Sequence, residues 1–180
     1  MSDYSLIMTE KQENILLTAL ELFATQGYHA VSTSKIARQA GVSEALIFRH
    51  FENKEGLLQA IMSIVEQKMK VVFADIVMSE DPKEVIRKTL EAPFHIAESE
   101  YKIWRLTYAL KWQINAYNGQ KAEPLKLALN NAFKKLGYKN PSAETQLVLM
   151  FLDGAATAIL LHKPDNMNSI MKAILNKYDL

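Results

Sequence analysis

The stretch STSKIARQAGVSEALIFRHF, from Ser32 to Phe51, decides the fold. Ile36, Ala37 and Ala40 recur at helical spacing ahead of Gly41, and a second short helical run follows Ser43. Gly41 supplies the positive φ that a tight inter-helix turn needs. Val42 plugs the core behind that turn, while Ser32 and Ser43 can satisfy the amides that open each helix. Two helices joined in this way present the second one end-on to a major groove. A plain helical hairpin in a core would show the same spacing, so a DNA-reading role needs support from the flanking residues.

Outward from this unit, the period is helical nearly everywhere and no stretch alternates as a strand does. Thr9, Glu10, Lys11 and Gln12 form a capping box that opens a helix carrying Ile15, Leu16, Ala19, Leu20 and Phe23, with Gly27 as its left-handed C-terminal cap. Asn53 caps a long helix to about Met78. Asp81, Pro82, Lys83 and Glu84 read as a second capping box, and Pro93 should divide the helix that follows. Further helices are expected from about Glu100 to Tyr117, from Pro124 to Leu136, from Asn140 to about Leu161 and from Asn166 to Tyr178. The expectation is an all-α chain of about nine helices: a three-helix N-terminal domain over residues 1–53, then a helical domain over residues 54–180.

The chain of 180 residues contains no cysteine, so disulfides and thiolate metal sites are excluded. Residues 1–12 lack the charged flank and apolar run of a signal peptide. The apolar run from Leu147 to Leu161, broken by Asp153 and Gly154, is short for a membrane span. The expected location is cytoplasmic, without a membrane partner. Net charge is only +1, modest for a nucleic-acid binder. From Lys35 to Lys54 the local balance is cationic, with Lys35, Arg38, Arg49 and Lys54 against Glu44 and Glu52, so any DNA contact should be local.

Gly27-Tyr28, Ile36-Ala37, Ala40 to Ser43, Phe48 to Phe51, Asn53 to Glu55 and Leu57 together resemble the DNA-binding region of the tetracycline-repressor (TetR) family. The resemblance covers about Thr9 to Leu58. It implies that Ser32, Thr33 and Ser34 lie with their hydroxyls near phosphates, and that Glu44, Ala45 and Leu46, which follow the cap Ser43, face base edges. Phe48, Arg49 and His50 would run along the DNA backbone, and Lys54 would hold a phosphate. Phe48 stands where the family usually has tyrosine, so a hydroxyl contact to phosphate is replaced by van der Waals contact. Leu46 would touch a thymine methyl, unless it turns into the core.

The family works as two-fold dimers, which lets two reading heads meet successive grooves. Leu147, Phe151, Gly154, Ala155 and Ala158, with Ile170 and Ile174 on the last helix, are the candidate homodimer interface; internal core is the alternative. Phe94, His95, Trp104, Tyr108, Trp112 and Asn115 mix large aromatics with polar tips and are the candidate pocket for an apolar or aromatic effector, although ordinary cores look alike. No glycine-rich phosphate loop, His-Glu-x-x-His or nucleophile elbow is present, so no enzyme and no cofactor are expected. Glu91, His95 and Glu98 could share a helix face, but the second such set that a di-metal bundle needs is missing, and no metal is expected. The resulting expectation is a sequence-specific transcriptional regulator: a homodimeric repressor on a palindromic double-stranded operator, released by a small molecule. The alternatives are a helical enzyme or ligand carrier, and a DNA-binding protein controlled without a ligand.

Overall fold

Caps that the sequence supplies set the ends of the first helices. In a computed structural model, which describes residues 8–111 and 122–180, Thr9 and Gln12 close a reciprocal capping box at the start of α1 (Glu10–Gln26). Gly27 ends α1 with φ 89° and ψ 137°, so its φ is positive as expected but its backbone is extended rather than left-handed helical. Ser32 accepts from the Lys35 amide to open α2 (Thr33–Ala40), and Gly41 closes it in the left-handed region at φ 69° and ψ 33°. Ser43 accepts from the Leu46 amide to open α3 (Glu44–Phe51).

α4 (Lys54–Val77) follows after a two-residue turn in which Glu52 takes φ 65°. The Asn53 amide donates to the Phe51 carbonyl at 2.7 Å across that turn, and Asn53 Oδ1 accepts from the Gly56 amide at 2.8 Å. A positive φ at a glutamate is unfavourable by about 1 kcal/mol or more. It persists here because both flanking helices hold it.

α5 (Pro82–Glu91) opens on Asp81, whose carboxylate accepts from the Lys83 amide. The second half of the box expected there is replaced, since Glu84 lies 3.1 Å from Arg87 instead. Pro93 divides the segment as expected: α5 gives way to a 3-10 turn over Ala92–His95, then another over Glu98–Glu100, before α6 (Tyr101–Lys111). Glu91, His95 and Glu98 therefore fall on three separate segments and share no helix face. α7 (Glu123–Lys135), α8 (Pro141–His162) and α9 (Met167–Asn176) complete nine α-helices, with no strand among the described residues.

The chain divides into two compact units. The first runs to Lys68 and takes in the stretch that starts at Leu106; the second holds Met69–Arg105 and the described residues from Ala122 onward. The first unit thus extends past the boundary expected at residue 53. Leu57, Leu58, Ile61 and Val65 of α4 are buried along with Ile15, Leu16, Leu20 and Phe23 of α1, Ile36 of α2 and Ile47 of α3. Each such burial contributes about 1.5–3 kcal/mol, so the front half of α4 is part of the core that holds α2 and α3.

In the second unit, Val85, Ile86 and Leu90 of α5, Leu125, Leu129 and Phe133 of α7, Val148 of α8 and Leu175 of α9 form one buried cluster. Phe133 packs against Tyr138 and Tyr178, with ring centroids at 4.9 and 5.8 Å. α8 is long and apolar enough to cross a membrane by length and composition. It is two-sided in character: Thr145, Val148, Ala156, Ile159 and Leu160 are buried, while Leu147, Met150 and Leu161 are exposed.

Candidate nucleic-acid interface

The residues singled out between Ser32 and Lys54 all lie in the first unit, around the N-termini of α2 and α3 and the start of α4. The fully buried Ile47 anchors α3 to the core. The helix period then turns Ala45, Phe48 and Arg49 outward together, with Phe48 46% exposed. Glu44, Leu46 and His50 are half-buried at the margins of that face. Leu46 is thus neither free in solvent nor swallowed by the core.

Ser32 and Ser43 are exposed, and their hydroxyl oxygens accept from the Lys35 and Leu46 amides at 3.2 and 3.3 Å. An accepting hydroxyl keeps its own proton for an outside acceptor such as a phosphate oxygen. Ser34, the second residue of α2, is exposed as well. Thr33 differs, because its hydroxyl donates to Glu44 Oε1 at 2.6 Å and so links the first residue of α2 to the first residue of α3.

His50 is tied to α1. Gln12 Oε1 accepts from the Thr9 amide at 2.8 Å, which orients the Gln12 side chain so that its Nε2 donates to His50 Nδ1 at 3.2 Å. With Nδ1 as acceptor, the neutral ring carries its proton on Nε2, available to donate outward. Lys54 is also committed within the fold. Its Nζ lies 3.1 Å from the Tyr28 and Val31 carbonyl oxygens and 3.5 Å from that of His29, and 4.6 Å from the centre of the Tyr28 ring. An ammonium has three N–H donors, and three carbonyls surround this one. Lys54 therefore fastens the loop between α1 and α2 to the start of α4. Burial, and then the charge of Glu55, raise the Tyr28 hydroxyl above its ordinary pKa. Among the cations of this region, Arg38 and Arg49 stand exposed.

Gln12 and Tyr28 are the contributors that sequence reasoning left without a role. Gln12 was legible only as half of a cap, and no local spacing signals a contact to His50, 38 positions away. Tyr28 belongs to the family-like pattern, but its position beneath Lys54 is a tertiary fact.

Residues 15–61 match the model of bacterial regulatory proteins of the tetR family. The helix-turn-helix unit of this chain is what carries that similarity. The chain is 35% identical over 91 residues to the uncharacterized HTH-type transcriptional regulator YerO of Bacillus subtilis, a match over 48% of this chain and 31% of that protein. It is 46% identical over 56 residues to a second such regulator of the same organism, YvkB, over 31% of this chain and 30% of the relative. The matched part thus spans under a third of either relative's length. Over nearly its whole length the chain shares the fold of AibR, solved with isovaleryl coenzyme A and operator DNA. That likeness has a TM-score of 0.70 and 20% identity and covers 93% of this chain and 97% of AibR.

Outside residues 15–61, the aromatic set is dispersed. Phe94 and Trp104 are half-buried in the second unit, His95 is exposed, and Tyr108 is half-buried in the first unit. Trp112 and Asn115 lie outside the described residues. Of the α8 and α9 set, Leu147, Gly154 and Ile170 are exposed, while Phe151, Ala155, Ala158 and Ile174 are half-buried. Met150 and Leu161, 73% and 54% exposed, extend the stripe that Leu147 and Gly154 begin. They sit at helical spacing from Leu147, a signal that a search for small residues passed over.

Proposed function

We propose that the chain is a homodimeric, sequence-specific transcriptional repressor that binds a palindromic operator through α3 and is released by an apolar or aromatic small molecule. The observation that carries this reading is the outward face of α3. A short capped helix, held to the core by the buried Ile47, presents Ala45, Phe48 and Arg49 beside three exposed serines. Apolar groups, a fork-shaped cation and hydroxyls are the chemistry that base edges and phosphates take. In this reading Ser32, Ser34, Ser43, Arg49 and the His50 Nε2 proton hold the backbone, Ala45 and Leu46 meet base edges, and Lys54 supports the unit from within.

The exposed stripe of α8, with Ile170 of α9, supports the dimer. A helix face with three large exposed apolar side chains and a glycine among them allows close approach of its symmetry copy. Half-buried Phe94 and Trp104 support an apolar effector in the second unit, and AibR, of the same fold, is one that holds an acyl thioester. An effector releases DNA only by binding better to a conformation whose two heads no longer match the groove spacing. Selection of the purified protein on a pool of random duplexes tests the reading. It should enrich an inverted repeat, and recovery of sequences without a shared motif would overturn it.

A further inference from the structure

We propose that Thr33 and Glu44 read the operator as one unit, with Thr33 positioning the Glu44 carboxylate to accept from the exocyclic amino group of a cytosine in the major groove. This rests on the DNA-reading function proposed above. Glu44 is the first residue of α3, and the N-terminal residues of a recognition helix are those that meet base edges. A carboxylate placed there is repelled by the phosphates on either side, so it is tolerated only where the DNA offers it a donor. Thr33 Oγ1 donates to Glu44 Oε1 at 2.6 Å. A threonine hydroxyl has one proton, so Thr33 cannot also donate to a phosphate. It acts on the DNA through Glu44.

The same bond engages only Oε1 and leaves Oε2 as the acceptor for a base donor. Glutamate loses rotamer freedom when it docks, and a carboxylate already held by one oxygen has less to lose. The major-groove edge of cytosine presents the N4 amino donor. Adenine presents its N6 donor beside the N7 acceptor, whose lone pair opposes a carboxylate. A glutamine, with one donor and one acceptor, matches adenine instead. Cytosine is therefore the base that Glu44 selects, and the residue that replaces glutamate decides the base that replaces cytosine.

The test is the random-duplex selection repeated with Glu44→Gln, Glu44→Ala, Thr33→Val and Thr33→Ser, each first checked for an unchanged thermal midpoint and circular dichroism spectrum. The wild type should show one half-site position that prefers cytosine by on the order of tenfold. Glu44→Gln should move that one position to adenine and Glu44→Ala should flatten it. Thr33→Val should weaken the preference there several-fold and leave the other positions alone, and Thr33→Ser should restore it. Identical motifs from wild type and both Glu44 variants would overturn the proposal, as would a Thr33→Val variant that loses affinity equally for all sequences. A wild type that selects no motif would overturn the DNA-reading function itself, a result distinct from either.

Discussion

Gly56 sits in the first turn of α4 with the end of α3 against it. A Cβ built at this position would lie 1.9 Å from the Phe51 carbonyl oxygen and 3.0 Å from its carbonyl carbon. Any side chain at residue 56 must therefore push the last residue of α3 away by more than an ångström, and the obstacle is backbone that cannot rotate aside. Gly56→Ala brings two opposing effects. Alanine in a helix interior is favoured over glycine by about 1 kcal/mol, while forcing a group into an occupied site costs about 1–3 kcal/mol. Here the steric effect wins, because the Phe51 carbonyl also accepts from the Asn53 amide at 2.7 Å and the Glu52 turn has no slack. The expected net loss is up to about 2 kcal/mol, which for a chain of this size lowers the melting midpoint by up to about 8 °C. Differential scanning calorimetry measures it, and a DNA titration of the same variant should show weaker binding, since α3 moves with Phe51. A Gly56→Ala protein that melts higher than wild type would refute the reasoning: helix propensity would then outweigh a clash that the geometry makes unavoidable.

Three further outcomes are expected. Lys54→Met removes the fastening to the Tyr28, His29 and Val31 carbonyls and should destabilise the protein by about 2 kcal/mol, the half-exposed site being partly rehydrated. In a salt titration the same variant should keep the slope of wild type, because its three donors were engaged within the fold; a slope reduced by about one per subunit would place Lys54 on a phosphate. Tyr178, pushed up to about 12 by burial and then by the charge and hydrogen bond of Glu144, contributes stability that is present below pH 10 and lost as pH rises toward 12. The wild-type melting midpoint should fall more steeply over that interval than that of Tyr178→Phe; parallel curves would assign the alkaline loss elsewhere. Met150→Glu should yield a folded monomer by light scattering at low micromolar concentration, since the side chain is 73% exposed in the protomer but would be buried as an unpaired charge between two copies.

The helical architecture was legible in the sequence because its signals are local. Ser32, Ser43 and Asn53 cap as their positions imply, and Gly41 adopts the left-handed conformation that the turn requires. Pro93 breaks its helix where a missing amide and a ring clash demand it. What escaped are contacts between residues far apart in the chain. Lys54 looked like a surface cation at a helix start, and only the fold brings the carbonyls of the α1–α2 loop around it. Thr33 and Glu44 were each expected at the DNA, but their bond to one another depends on how α2 and α3 cross. The unit boundary moved from residue 53 to Lys68 because Leu57, Leu58, Ile61 and Val65 belong to the head's core, which a cap at Asn53 does not reveal. Asp81 and Glu84 had the spacing of a capping box, and Arg87 one turn on supplied the glutamate with a nearer partner.

The central claim is that α2 and α3 read DNA sequence. Its most direct test is a competition titration at physiological salt between a duplex carrying the selected inverted repeat and a scrambled duplex of the same composition. The wild-type protein should prefer the repeat by at least about a thousandfold. Equal affinity for the two duplexes would contradict it.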